Sequence, residues 1–133
     1  MWKISKQTFG FVLTFAGIIG PEEMKAWVTQ SKVELAGQLP SIWGVIVDMR
    51  ELQPLNQASQ AVMLEGQIAY KARGMVRSAV ALQDAITTLQ FRRLARNSGI
   101  DAWERYIDAA ENPNWQSIAK QWIVAGAEPP TAR

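Results

Sequence analysis

"IWGVIVDMRELQPLN", residues 42–56, decides how this chain is read. From Ile42 to Met49 the apolar side chains fall on both alternating faces. A strand carries that pattern when both faces are covered, as in the middle of a parallel sheet. Asp48 then stands where a buried strand meets solvent, and Asn56 is placed to cap a following helix by accepting a bond from its first-turn N–H groups. A central strand that feeds a helix needs further parallel strands beside it, so the flanking sequence is read for them.

Upstream, Trp2 and Ile4 alternate with Lys3 and Ser5, Lys6-Gln7-Thr8 turns, and residues 9–16 return as a second strand. The same stretch, a basic start followed by "FGFVLTFAGIIG", has the outline of a signal peptide. The alternation of Phe9, Phe11, Leu13 and Phe15 with smaller residues favours the strand. Gly20-Pro21-Glu22-Glu23 announces a helix: proline suits its first position, and the acids face the positive end of its dipole. Met24, Trp27, Val28 and Leu35 form its apolar face, and Gly37 suits a left-handed terminus.

Downstream, a helix from Asn56 to about Arg73 is expected to turn Ala58, Ala61, Val62, Ile68 and Ala69 inward, weakened by Gly66 and closed by Gly74. "RSAVAL", residues 77–82, is the next parallel strand. Asp84 caps a third helix with Ile86, Leu89 and Leu94 inward, ended by Asn97-Ser98-Gly99. "ERYIDAA" is the last strand. Asn112-Pro113 opens a fourth helix carrying Trp115, Ile118, Ala119, Trp122 and Ile123, and Gly126 ends it. The order is β-β-α-β-α-β-α-β-α: an α/β domain over residues 1–126 with a mostly parallel sheet, an antiparallel N-terminal edge strand and about four helices. Residues 127–133 read as a flexible tail.

Composition narrows the chemistry. The 133 residues contain neither cysteine nor histidine. That removes disulfides, thiol nucleophiles, the commonest general base and the commonest zinc ligands. A formal charge of +2 gives no footprint for nucleic acid. No apolar run approaches the ~18 residues of a membrane span. No phosphate loop, dinucleotide fingerprint or metal-ligand spacing occurs, so no cofactor and no metal are expected.

The hairpin start, the "G-x-x-x-P-E-E-M" helix entry, the "V-I-V-D-M" strand and the C-terminal "A-K-Q-W-I" helix resemble the SpoIIAA-like family, over residues 2–125. That bacterial group belongs to the STAS fold of anti-anti-sigma factors, and its naming is related to lipid-transfer domains of the Sec14 type. The resemblance implies a cytoplasmic, non-catalytic domain that regulates by protein–protein contact, with self-association included. Its alternative is a carrier or sensor of an apolar small molecule or lipid; a histidine-free enzyme is a further one. In the phosphorylated members an Asp-Ser-Ser-Gly-like turn follows the strand at once. Here Arg50-Glu51-Leu52-Gln53-Pro54-Leu55 intervenes, and the first nearby hydroxyl is Ser59, a weak phosphorylation candidate that reads as an exposed first-turn serine.

The remaining candidates follow from charge. Asp48 lacks the acidic pair and lysine that a phosphoaccepting aspartate needs, and reads as a structural acid bonded to nearby backbone N–H groups. Arg92, Arg93 and Arg96 share a helix, with Arg92 and Arg96 on one face. That face is the candidate contact for an acidic protein partner or, peripherally, a membrane surface. Six tryptophans serve core packing or, on the carrier reading, line an apolar pocket.

Overall fold

Two glycines set how the first parallel strands meet. A computed structural model describes residues 1–130. In it β1 (Trp2–Gln7) and β2 (Gly10–Gly17) form an antiparallel hairpin. β2 then runs parallel to β3 (Trp43–Leu52), with Gly10 opposite Gly44. Gly10 adopts φ +138°, and a Cβ there would strike the Gly44 carbonyl. Gly44 is confined on its other side, where a Cβ would lie 2.7 Å from Ile123 Cγ2.

The chain continues through α1 (Pro21–Leu35) before β3, then α2 (Gln57–Ala72), β4 (Met75–Leu82), α3 (Ala85–Ser98), β5 (Glu104–Asp108) and α4 (Trp115–Ala125). This is the order expected from the sequence. The five strands lie β1-β2-β3-β4-β5, antiparallel between β1 and β2 and parallel elsewhere. No helix of the described residues is long and apolar enough to cross a membrane.

Strand alternation divides the core between the two faces of the sheet. Val45, Val47 and Met49 join Phe11, Leu13 and Phe15 under α1, α2 and α3. Ile46, Ala79, Ala81 and Ile107 face α4, which contributes Trp115, Ala119, Trp122 and Ile123. The alanines of β4 leave room for the large side chains of a single helix. α4 carries the stripe expected of it, although it starts at Trp115 rather than at Asn112-Pro113.

α1 also buries its expected face of Met24, Trp27, Val28 and Leu35. It ends differently: the Ala36 cap is right-handed, and Gly37 is not among the glycines with positive φ. α2 differs more. Ala58, Ala61 and Ile68 face solvent, and the buried face is Ser59, Val62, Met63, Gly66, Gln67 and Tyr70. Its polar groups find partners on neighbouring elements, which makes their burial tolerable. Tyr70 Oη lies 2.9 Å from Ser31 Oγ of α1, and Ser98 Oγ of α3 donates to Gln67 Oε1 at 2.8 Å. α3 likewise buries Thr87, Phe91, Leu94, Ala95 and Ser98, whereas Ile86 and Leu89 are 61% and 67% exposed. β3 runs beyond Met49 to Leu52, past a register shift opposite Thr14 and Ala16, so Asp48 lies within the strand rather than at its end.

Of the expected tail, residues 127–130 are held against the domain. Glu128 pairs with Arg105, and Pro129 is buried. Residues 131–133 lie outside the described residues.

Candidate functional site

The candidate residues fall in three separate places. Asp48 projects from β3, where its carboxylate takes both Arg50 Nε at 2.9 Å and Arg50 Nη2 at 3.0 Å, plus the Arg50 backbone N–H at 3.2 Å. The Arg50 guanidinium in turn lies 4.8 Å from the centre of the Trp115 ring. Its hydrogen bond to Asp48 holds the Arg50 pKa above the usual arginine value. Ser59 is not the exposed serine expected. It is fully buried, its Oγ donates to Ile19 O at 2.8 Å, and its N–H is capped by Asn56 Oδ1 at 2.8 Å. A modifying enzyme has no access to that hydroxyl without opening the α1–α2 packing.

The three arginines of α3 divide. Arg93 turns toward α2 and donates to Gln60 Oε1 at 2.9 Å. Arg92 and Arg96, one turn apart, line a cleft of about 570 Å³ against β5 and the segment 128–130. Arg92 stacks on the Tyr106 ring, 4.6 Å from its centre. Among the described residues neither Arg92 nor Arg96 has a carboxylate within ion-pairing distance. The third arginine of the cleft, Arg105, is spoken for: Nε and Nη2 donate to Glu128 at 2.8 and 2.9 Å, and its plane covers Trp122 at 4.3 Å.

The floor of the cleft holds a buried acid. Glu104 is only 5% exposed. Ser78 Oγ donates to its Oε1 at 2.9 Å, and Tyr106 Oη lies 2.6 Å from its Oε2. Burial disfavours the charged carboxylate and lifts the Glu104 pKa to about 7, against the opposing pull of the Tyr106 and Ser78 bonds. Burial, then the Glu104 charge, push the Tyr106 phenol far above its ordinary value. Tyr106 Oη also lies 3.1 Å from Phe91 O, yet a phenol has one proton. With Glu104 protonated, Ser78 donates to the acid, the acid to Tyr106, and Tyr106 to the Phe91 carbonyl. With Glu104 ionised, Tyr106 turns its proton to the carboxylate and the Phe91 bond is lost. The neutral acid is therefore the state that satisfies the whole chain.

β5 is one edge of the sheet, opposite β1. Its parallel ladder points the backbone of Glu104, Tyr106 and Asp108 outward. Arg105 Nη1 covers the Glu104 carbonyl at 3.1 Å, and Asn112 takes the Asp108 carbonyl at 3.0 and 2.8 Å. Side chains thus blunt the edge at both ends. Inside the α1–α3 side of the core, a void of about 30 Å³ touches Trp27, Gln67, Tyr70 and Glu104. It has room on the order of one or two waters.

The sequence alone places Tyr106 only on a strand and makes Glu104, considered with Asp101 as a carboxylate pair, a solvated loop charge; Glu104 is instead buried within β5. The signal was present in "ERYID": two polar residues at spacing two share a face, and in a half-buried strand that face can point inward. No protein-family model, no curated protein and no solved structure matches the chain.

Proposed function

We propose that this chain is a non-catalytic, STAS-like regulatory domain that works by binding a protein partner with an acidic surface through the outer face of α3. One observation carries the reading. The exposed side of α3 presents Ile86 and Leu89 in its first half and Arg92 and Arg96 in its second, with no carboxylate paired to either arginine among the described residues. Apolar side chains beside arginine are the composition of recognition surfaces, and the cations steer an acidic partner into register. The β-β-α-β-α-β-α-β-α order agrees with the resemblance to the SpoIIAA-like family. The carrier reading has less support, because an apolar ligand needs a chamber of roughly 300 Å³ or more, and the interior void is about 30 Å³.

The test is affinity capture from the source cell's lysate, comparing wild type with the Arg92→Glu, Arg96→Glu double variant at low and moderate salt. The expected result is one specific acidic partner, weakened by salt and lost in the folded variant. An identical partner set for both proteins overturns the reading.

A further inference from the structure

We propose that the cleft between the C-terminal half of α3 and the start of β5 is a binding site for an oxyanion on a small organic molecule, a carboxylate or a phosphate, gripped by Arg92 and Arg96. The inference uses the same two arginines as the contact face but needs no protein partner, so either can fail while the other stands.

Charge gives the class of ligand. Arg105 and Glu128 pair off, leaving the guanidinium groups of Arg92 and Arg96 in a cleft that also holds the Asp101 carboxylate, with Glu104 buried on the floor. Residues four apart on a helix are neighbours, so both forks reach one ligand. A guanidinium matches the two oxygens of a carboxylate or phosphate better than any other side chain does. Stacking on Tyr106 already orders Arg92, which reduces the entropy lost when a ligand arrives. The cleft volume, about 570 Å³, lies within the range of small-molecule sites.

Glu104 then sets the charge of the site. Ser78 from β4 and Tyr106 from β5 bond it, and Tyr106 also reaches the Phe91 carbonyl of α3. Arg92 and Arg96 from α3, Arg105 from β5, Asp101 from the α3–β5 loop and Glu128 from the C-terminal segment line the same cleft, and Tyr70 from α2 borders the interior void that Glu104 also touches. Ionising Glu104 places a negative charge on the floor of the cleft and turns the Tyr106 hydrogen bond away from the Phe91 carbonyl. An anion in the cleft therefore favours the protonated acid, and by linkage the protonated acid favours the anion.

The experiment is an NMR titration of the purified ¹⁵N-labelled chain at fixed ionic strength, with sulfate in one arm and succinate in the other. Sulfate keeps its charge between about pH 6 and pH 8, so it also serves the pH comparison. The expected result is saturable shifts confined to residues around Arg92, Arg96 and Tyr106, with affinity for sulfate roughly three- to tenfold weaker at the higher pH. Preference for sulfate assigns a phosphate ligand, and preference for succinate a carboxylate. Arg92→Gln with Arg96→Gln, both at exposed positions, should abolish saturation. Glu104→Gln should retain binding and lose its pH dependence. Shifts that rise linearly and spread over all surface cations, or saturation that survives the double variant, overturn the site. Unchanged pH dependence in Glu104→Gln overturns the role of that acid. Anion binding by the purified chain, with identical lysate partners for wild type and the Arg→Glu variant, would leave this site standing and remove the protein contact.

Discussion

The Trp27 ring occupies the space that a side chain on Gly66 would need. A Cβ at Gly66 would collide with Cζ3 and Cη2 of that ring. Trp27 cannot yield easily: it stacks on Tyr70 at 5.7 Å and 10°, and meets Phe15 edge-on at 5.0 Å. The glycine that lowers the helix propensity of α2 is thus what lets α1 and α2 close.

Gly66→Ala is accordingly expected to destabilise the fold. In an exposed helix that substitution would gain about 1 kcal/mol. Here overpacking opposes it, at about 1–3 kcal/mol and with the larger weight. A urea midpoint that falls with an unchanged slope is the expected readout. A midpoint that rises would mean that Trp27 can move aside.

Trp122 tests α4 in the same way. It is 6% exposed, its Nε1 donates to Ser78 O at 3.1 Å, and Arg77 and Arg105 lie against its ring. Trp122→Ala should cost about 3–5 kcal/mol, because the ring's burial is lost and a cavity remains beside Ala79 and Ala81. Trp122→Phe should recover most of it. Equal midpoints for wild type and the alanine variant would place α4 outside the core.

The elements whose buried faces are apolar were legible in the sequence: β2, β3, α1 and α4 follow from the alternation of Phe11, Leu13 and Phe15, the run at 43–49, and the stripes through Trp27 and Trp122. The faces of α2 and α3 were not. Their buried positions hold Ser59, Gly66, Gln67, Thr87 and Ser98, which hydrophobic periodicity counts as outward, although tertiary hydrogen bonds or a neighbour's ring hold them inside. Ile86 and Leu89 were read inward for the converse reason. Of the candidate cleft, Arg92 and Arg96 were legible as neighbours on a helix. Glu104 was not, since its protonation comes from burial that no local pattern encodes, and its bonding partner Ser78 lies twenty-six residues away.

Asp48 should act as a structural acid. Its carboxylate is engaged by Arg50, and Arg50 is fixed against Trp115. The pair is partly exposed, so Asp48→Asn should cost no more than about 1 kcal/mol. Incubation with acetyl phosphate and magnesium is expected to leave the intact mass unchanged. A stoichiometric phosphoryl adduct that vanishes in Asp48→Asn would show a phosphoacceptor instead.

Glu104 gives the fold a pH dependence of distinctive sign. Its folded pKa, about 7, stands above the ordinary 4.5. Below 4.5 the acid is protonated whether the chain is folded or not, and pH has no effect through it. Between 4.5 and about 7 the unfolded chain gives up the proton while the folded chain keeps it, so stability falls as pH rises. Above about 7 both states are ionised and the whole loss has been taken, roughly 3 kcal/mol from the separation of the two values. Asp84 and Glu128, whose pKa values are lowered by bonds from Thr87 and Arg105, act in the opposite direction at lower pH and blur the raw curve. The difference between wild type and Glu104→Gln removes them. Glutamine can accept from Ser78 and donate to Tyr106, as the protonated acid does, and it never ionises. Denaturant midpoints from about pH 4 to 8 should therefore show the variant gaining on wild type through the window and more stable than it at pH 8. Parallel curves would mean that Glu104 titrates as an ordinary surface carboxylate, and the neutral hydrogen-bonded floor of the cleft would have to be abandoned.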